Sequence, residues 1–276
     1  MEKKLLFLDL DGTLLNDQKQ ITSGNRIALE QALNNGHGVI ITTGRPLRSA
    51  MAQARQLGLD RPGCHLIAYN GAVIYDWSLE QQIYRRTFPV ELVCRVFEEI
   101  NGRNLHIQTY DTWNVLVEQR CEDAALRTYC GRTEMPWKVI GSIHRDLQEA
   151  PVKMLLIELE NPKPLLDVAD WVQKNLAGEA DCFFSCDEYL EIVPSGINKG
   201  EAVRMLCHLT GVPLEQAVAV GDAANDLPMI RTAGVGVAMA NATEEVRRAA
   251  DYITTNDNNH DGIAEVVKHF LGQPVG

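Results

Sequence analysis

The sequence predicts an α/β fold, in which a Rossmann-like doubly wound parallel sheet carries an inserted α+β cap domain. Short apolar runs alternate with helical patterns near both ends of the chain, and this alternation is typical of parallel βαβ units. Between residues 85 and 188 the alternation stops, and pairs of strand runs follow one another across short turns, as in antiparallel sheets. We therefore expect a core domain of residues 1–84 plus 189–276 and a cap domain of residues 85–188.

Length, composition and charge limit the classes of protein to consider. A chain of 276 residues can form one large domain or two modest ones, each with a full core. With 45% hydrophobic residues it resembles ordinary globular chains rather than disordered or fibrous ones. The net charge of -11 repels nucleic acid, so we expect no nucleic-acid partner. A small anionic substrate stays possible, because a metal ion or a helix N-terminus can supply positive charge locally.

Cysteine usage and hydropathy predict a cytoplasmic protein. The 7 cysteines are an odd number with no C-x-x-C pair, which favours reduced thiols. The opening MEKKLLFLDLD has too few apolar residues for a signal peptide, and no run approaches the ~18 apolar residues of a membrane span. We expect no membrane partner, and a monomer or a homodimer.

The first strand run, LLFLDL, ends in the carboxylates Asp9 and Asp11. Doubly wound sheets bind ligands at this edge, beyond the carboxyl ends of their strands. The alternative is a solvated pair of loop carboxylates, or an Asx turn before Gly12. The unbroken apolar run before Asp9 favours a ligand site, because a solvated pair needs no buried strand.

The second strand run, GVIITT, leads into Thr43, Gly44 and Arg45 before a helical pattern that stops at Gly58. A hydroxyl and backbone N–H groups beside a helix N-terminus suit a bound anion. Thr43 as a simple helix cap is the alternative. A third strand run, HLIAYN, follows.

The cap segment contains amphipathic helices such as residues 92–100 and two predicted hairpins. LHIQTY pairs with WNVLVE, and DCFFSC pairs with YLEIVP. Hairpins belong to antiparallel sheets, so we expect an α+β domain here.

After the cap segment, GINKG places Lys199 just before a helical pattern that stops at Gly211. A lysine at a helix start is unfavourable to the helix dipole, and binding a phosphate or a carboxylate would explain it. A solvated surface lysine is the alternative.

The next strand run, AVAVGD, is followed by Asp222, Asn225 and Asp226, and a last strand run, GVGVAM, comes after them. Together with Asp9 and Asp11 these residues place four carboxylates at strand ends of one sheet. Such a cluster repels itself unless a cation is bound, and oxygen ligands alone select a hard ion such as Mg²⁺. An acidic Asx-turn loop is the alternative for this segment alone. The four segments in this order, each next to an apolar strand or a helix start, favour one shared site.

These segments resemble the four motifs of the haloacid dehalogenase-like hydrolases: DLDGT, Thr43, Lys199 and GDAAND. Their order resembles the Cof-type sugar-phosphatase branch, which carries its cap between the second and third motifs. YNGA at residues 69–72, EIVPSGINKG and AGVGVAMANA are also similar to that branch. The resemblance spans almost the whole chain.

The resemblance implies a Mg²⁺-dependent phosphatase for small phosphate monoesters, with sugar phosphates expected first. Asp9 would attack phosphorus to form an aspartyl-phosphate, and Asp11 would protonate the leaving alcohol and then activate water. Mg²⁺ would be held by the carboxylates of Asp9 and Asp222 and the backbone carbonyl of Asp11, with Asp226 orienting them.

The same resemblance implies a set of ligands for the phosphate oxygens. These are the side chains of Thr43, Lys199 and Asn225 and the backbone N–H groups near Leu10 and Gly44. A small phosphorylated metabolite is the expected partner. Two alternatives stay open: a phosphosugar phosphotransferase or mutase, and a non-catalytic protein that binds phosphate esters.

Overall fold

The computed structural model describes residues 2–272, which fall into two units. The first unit contains the chain up to Gly44, Ala50–Tyr84, and the chain from Asn198 onward. The second contains Arg45–Ser49 and Arg85–Ile197. Within the described residues, no helix combines the length and the apolar character needed to cross a bilayer.

Strands and helices alternate in the first part of the chain. In order they are β1 (Leu5–Leu8), α1 (Ser23–Asn34), β2 (Gly38–Thr42), α2 (Leu47–Leu57), β3 (Cys64–Ala68), β4 (Val73–Asp76) and β5 (Gln81–Arg85).

Hairpins and helices are mixed in the middle of the chain. In order they are α3 (Val90–Gly102), β6 (His106–Tyr110), β7 (Val115–Glu118), α4 (Ala124–Thr133), β8 (Trp137–Ile140), α5 (Ile143–Asp146), β9 (Met154–Ile157), α6 (Lys163–Asn175), β10 (Ala180–Cys186) and β11 (Tyr189–Pro194).

Alternation resumes in the last part of the chain. In order the elements are α7 (Lys199–Thr210), β12 (Ala217–Gly221), α8 (Leu227–Thr232), β13 (Val235–Ala238), α9 (Glu244–Ala249), β14 (Tyr252–Ile253) and α10 (Gly262–Val266).

The first unit is built on a sheet with the strand order β14-β13-β12-β1-β2-β3-β4-β5. From β14 to β3 all neighbours pair in parallel, and β4 pairs antiparallel with β3. Every residue of β1, β2, β3 and β12 is buried, which explains why their sequences are continuous apolar runs. Because β1 lies between β2 and β12, the strand order reverses there. The loops that follow these three strands therefore meet at one edge.

Helix α7 packs on this sheet, and Lys199 is its first residue. Its buried residues Val203 and Leu206 belong to the same apolar cluster as Leu5 and Phe7 of β1. At its N-terminus the Asn198 side chain accepts a hydrogen bond from the Glu201 N–H at 3.0 Å. The helix ends as predicted at Gly211, whose φ of +66° is the left-handed conformation common after helices.

The second unit contains a sheet with the order β10-β11-β9-β6-β7-β8, in which β7 and β8 pair in parallel and the other neighbours pair antiparallel. Both predicted hairpins are present as β6–β7 and β10–β11. The predicted return to the core after residue 188 comes too early, because β11 pairs with β10 and β9 and so stays in the second sheet. That unit extends to Ile197 and also includes Arg45–Ser49.

Candidate active site

Asp9 and Asp222 lie at the ends of two neighbouring strands. Asp9 directly follows β1, and its N–H donates to the Val220 carbonyl of β12 at 3.1 Å. Asp222 directly follows β12. The parallel pairing of the two strands therefore brings these distant parts of the chain to one edge of the sheet. The Asp9 side chain is only 11% exposed, which already separates it from a solvated loop carboxylate.

Lys199 is fully buried between two carboxylates. Its Nζ donates to Asp9 Oδ1 at 2.5 Å and to Asp226 Oδ1 at 2.6 Å. The alternative of a solvated lysine is therefore wrong. Burial alone would lower the pKa of Lys199, but the Asp226 and Asp9 carboxylates outweigh it and hold that pKa above its ordinary value. A buried charge needs such partners, because removal from water is costly.

Asp226 holds the loop after β12 in place. Its Oδ1 accepts from Lys199, and its Oδ2 accepts the backbone N–H groups of Asp222 at 2.9 Å and Ala223 at 3.0 Å. A Cβ on Gly221 would lie 2.5 Å from the Asp226 carboxyl carbon, so a larger residue there would displace the carboxylate. Asp226 therefore links Lys199 to the backbone that carries Asp222.

The loop after β1 is attached to Asp222 in turn. Thr13 Oγ1 donates to Asp222 Oδ1 at 2.7 Å. Gly12 has a φ of +82°, and an added Cβ would lie 2.5 Å from Asp222 Oδ2. Both the backbone conformation and the lack of space therefore favour glycine at this position. The two loops are thus fixed to each other by a hydroxyl and by close packing.

Asp9, Asp222 and Asp226 form an acidic cluster whose ligand atoms lie within 4.8 Å of one another. Burial raises the pKa of Asp9 to about 7, with Asp226 adding to the shift and Lys199 opposing it. Burial also raises the pKa of Asp222 to about 6. Three carboxylates share the single Lys199 ammonium here, so the ionised cluster carries more negative charge than Lys199 neutralises. An oxygen-only donor set with surplus negative charge fits a hard divalent cation such as Mg²⁺.

The Asp11 side chain lies outside this cluster. It is 43% exposed, and its Oδ1 accepts from Lys19 Nζ at 2.8 Å. The chain turns between the two carboxylates, since the Leu14 N–H donates to the Asp9 carbonyl and the Leu15 N–H donates to the Leu10 carbonyl. The two-residue spacing therefore does not bring Asp11 into the buried group with Asp9.

The predicted phosphate ligands occupy the loops around this edge. Thr43 is buried and directly follows β2, where its N–H donates to the Ile67 carbonyl at 2.9 Å. Because α2 begins at Leu47, Thr43 is not the cap of that helix. Leu10 is buried after β1, whereas Asn225 is exposed in a single helical turn after β12.

The comparison with family models decides the classification. A model described as haloacid dehalogenase-like hydrolase matches residues 6–267, which is nearly the whole chain. The chain belongs to the haloacid dehalogenase-like hydrolases.

Similar proteins support this classification over their full lengths. The 5-amino-6-(5-phospho-D-ribitylamino)uracil phosphatase YcsE of Bacillus subtilis is 30% identical, over 97% of this chain and 96% of the relative. A solved haloacid dehalogenase-like hydrolase from Bacteroides thetaiotaomicron is 33% identical with a TM-score of 0.87, covering 97% of this chain and 99% of that one. The subclass IIB sugar phosphatase BT4131 is 25% identical with a TM-score of 0.81, covering 98% and 100%.

The predicted family, its Cof-type branch and the α/β fold class are therefore confirmed, and this haloacid dehalogenase-like hydrolase is a phosphatase.

Contacts around the site include residues to which the sequence assigned no role. In this haloacid dehalogenase-like hydrolase, Asn241 Nδ2 donates to the Gly12 carbonyl at 2.8 Å, and the Asn70 N–H donates to the Thr43 carbonyl at 3.1 Å. Both residues lie in segments that resemble the family, AMANA and YNGA. Only the fold reveals which loops these asparagines touch.

Proposed function

We propose that this phosphatase uses Mg²⁺ to hydrolyse small phosphate monoesters, sugar phosphates first, through an aspartyl-phosphate on Asp9. The observation that carries the proposal is Lys199, fully buried and bonded to both Asp9 and Asp226. A fixed cation beside a buried carboxylate suits attack on an anionic phosphate, because it offsets the repulsion between the two anions. YcsE acts on a phosphorylated ribityl chain by its name, and BT4131 is named a sugar phosphatase, which supports polyol and sugar phosphates.

In the first step, an Asp9 carboxylate oxygen attacks phosphorus, and the bond from phosphorus to the leaving oxygen breaks. Asp11 donates its proton to that oxygen, so the leaving group departs as a neutral alcohol. In the second step, Asp11 removes a proton from water, and the water oxygen attacks phosphorus. The bond between Asp9 and phosphorus breaks, which releases inorganic phosphate and regenerates the Asp9 carboxylate.

The exposure of Asp11 is compatible with this double role. Its carboxylate is 43% exposed and bonded to Lys19 by a surface ion pair, which costs little to break. We infer that Asp11 exchanges Lys19 for the leaving oxygen when substrate binds.

The carboxylates of Asp9 and Asp222 and the Asp11 backbone carbonyl would hold Mg²⁺, with Asp226 orienting Asp222. When bound, this ion neutralises charge on the phosphate and on the Asp9 carboxylate. Burial raises the pKa of Asp9 to about 7, and a cation nearby would favour the ionised form that attack requires.

The phosphate oxygens would be held by Thr43, Lys199, Asn225 and the backbone N–H groups of Leu10 and Gly44. Phosphoryl transfer depends mostly on positioning and charge stabilisation. Uncatalysed monoester hydrolysis is so slow that accelerations reach ~10²¹, which demands several convergent groups.

A phosphate-release screen tests the proposal. Sugar phosphates, nucleotides, pyridoxal phosphate and flavin mononucleotide are incubated with enzyme and Mg²⁺, with the chelator EDTA and the Asp9→Asn variant as controls. We expect release from several sugar phosphates that disappears in both controls. Release from no compound above the Asp9→Asn background would refute the proposal. Phosphate transfer to an added sugar, without release in water, would favour the phosphotransferase.

A further inference from the structure

A turn with unusual backbone conformation lies beside the candidate site, directly after β3. Tyr69 and Asn70 have φ values of +52° and +54°, and Gly71 has a φ of +113°. Positive φ is uncommon for residues other than glycine, and for a bulky residue such as tyrosine it is an outlier. Such conformations persist only where the surroundings fix them, and they concentrate at functional sites.

Asn70 contacts the segment that carries Thr43 and Gly44. Its N–H donates to the Thr43 carbonyl at 3.1 Å, and the residue is only 4% exposed. A Cβ on Gly44 would lie 3.0 Å from both the nitrogen and the oxygen of the Asn70 side-chain amide. The amide is therefore packed directly against the Gly44 backbone.

The same turn contacts the start of α7. A Cβ on Gly71 would lie 2.5 Å from the Asn198 carbonyl oxygen and 3.2 Å from the Ala202 Cβ. Asn198 is the N-cap of α7 and immediately precedes Lys199. One turn thus touches the backbone of two predicted phosphate-binding segments that are far apart in the sequence.

We propose that Asn70 is a positioning residue, which sets the Thr43–Gly44 backbone relative to Lys199 so that both can bind one phosphate group. Asn70 acts through these neighbours. The proposal rests on the proposed function for the roles of Thr43, Gly44 and Lys199. It assigns a function to a buried asparagine with positive φ that the predicted mechanism does not use.

The Asn70→Gly variant removes the amide and retains a residue that accepts positive φ without strain. Asn104→Gly is its matched control. Asn104 also has a positive φ, of +56°, but it is exposed and lies in the second unit. Both variants replace an asparagine of positive φ with glycine, so they make the same chemical change in the same backbone conformation.

Binding of inorganic phosphate, followed by titration calorimetry in Mg²⁺, is the deciding measurement. For Asn70→Gly we expect affinity for phosphate to fall roughly 10- to 100-fold, because the loss of hydrogen bonds to a charged group weakens binding by about this factor. The KM for para-nitrophenyl phosphate should rise in parallel. A purely structural role would lower the active fraction and leave the affinity of the folded molecules unchanged. Unchanged phosphate affinity in Asn70→Gly, or an equal loss in Asn104→Gly, would overturn the proposal.

A double-mutant cycle tests the contact between Asn70 and Gly44 and needs no measurement of enzyme activity. Gly44→Ala should lower Tm in the wild-type background, because the new methyl meets the Asn70 amide, and should lower it less in the Asn70→Gly background. Equal effects in both backgrounds contradict the contact.

If wild-type protein releases no phosphate from any ester but binds inorganic phosphate in an Asn70-dependent way, the proposed function fails and the positioning role stands. If turnover depends on Asp9 but phosphate affinity is unchanged in Asn70→Gly, the proposed function stands and the positioning role fails.

Discussion

At the scale of single residues, the candidate site depends on one buried lysine among buried carboxylates. We expect Lys199→Met to lower the free energy of unfolding by roughly 3–5 kcal/mol, because it leaves Asp9 and Asp226 without their buried cation. Urea unfolding followed by circular dichroism measures this. Lys19→Met is the control, since its ion pair with Asp11 is exposed and is worth about 1 kcal/mol or less. Equal losses in the two variants would contradict the burial of Lys199.

The acidic cluster also predicts how pH changes metal binding. The pKa values of Asp9 and Asp222, about 7 and about 6, are raised above those of unfolded aspartate. These two groups therefore favour the folded metal-free protein at low pH, and that contribution is lost as pH rises from about 4 to about 7. Mg²⁺ needs both ionised forms, so its apparent affinity should be roughly 20-fold weaker at pH 6 than at pH 8.

Thermal unfolding with increasing Mg²⁺ at the two pH values checks this expectation. The Asp222→Asn variant should lose most of the stabilisation by Mg²⁺ at pH 8. His106→Gln, a change in the second unit, should retain it. A rise in Tm with Mg²⁺ that is the same at pH 6 and pH 8 in the wild-type protein would contradict the raised pKa values.

The closeness of the site carboxylates was predictable from the sequence where it follows from strand ends, and their roles stay a prediction. Asp9, Asp222 and Asp226 were identified because each follows an apolar strand run. The bond from Thr13 to Asp222 was not, because it joins residues separated by 209 positions and nothing local marks the pair. The exposure of Asp11 was also not predictable, since it depends on how the chain turns at Gly12.

At the scale of elements, start and stop signals were reliable and sheet membership was not. Helix α7 ends before Gly211 as its sequence indicates, and both predicted hairpins are present. The boundary after residue 188 was wrong because it separated the two strands of one hairpin. Hydrogen bonding across β10 and β11 keeps these strands in the same sheet, so no domain boundary lies between them.

In the second unit, a buried histidine joins β6 to α4. Asp123 caps α4 by accepting the Leu126 N–H at 3.0 Å, and it also contacts His106 Nδ1 at 2.9 Å. Burial lowers the pKa of His106, but its interactions with Asp123 and Cys121 outweigh burial and the pKa reaches about 9. Burial likewise opposes the low pKa of Asp123, which the bond from His106 holds below its ordinary value.

The sign of the resulting pH dependence follows from these shifts. The raised pKa of His106 contributes stability that is complete below about pH 6.5 and is lost as pH rises through about 9. The free energy of unfolding should therefore fall more between pH 6.5 and pH 9.5 in the wild-type protein than in His106→Gln. Urea titrations at both pH values measure this difference. Parallel pH profiles for the two proteins would contradict a charged His106 in the folded state.

At the scale of the whole molecule, the predicted site residues and the inserted segment belong to different units. The residues predicted for catalysis, metal and phosphate are Asp9, Leu10, Asp11, Thr43, Gly44, Lys199, Asp222, Asn225 and Asp226, and all of them lie in the first unit. The second unit has its own sheet and its own buried residues, such as Phe97 of α3 and Leu156 of β9. The chemistry and the inserted domain are therefore separable in principle.

Residues 85–197 expressed alone should fold and should neither hydrolyse para-nitrophenyl phosphate nor bind inorganic phosphate. Their number lies within the ~50–250 residues of domains that form a core of their own. Cooperative urea unfolding by circular dichroism tests folding, and titration calorimetry tests binding. The loss of pH dependence in His106→Gln should recur in this fragment, because His106 and Asp123 both belong to it. Phosphate release by the folded fragment would contradict the assignment of catalysis to Asp9, because no predicted site residue remains in that part of the chain.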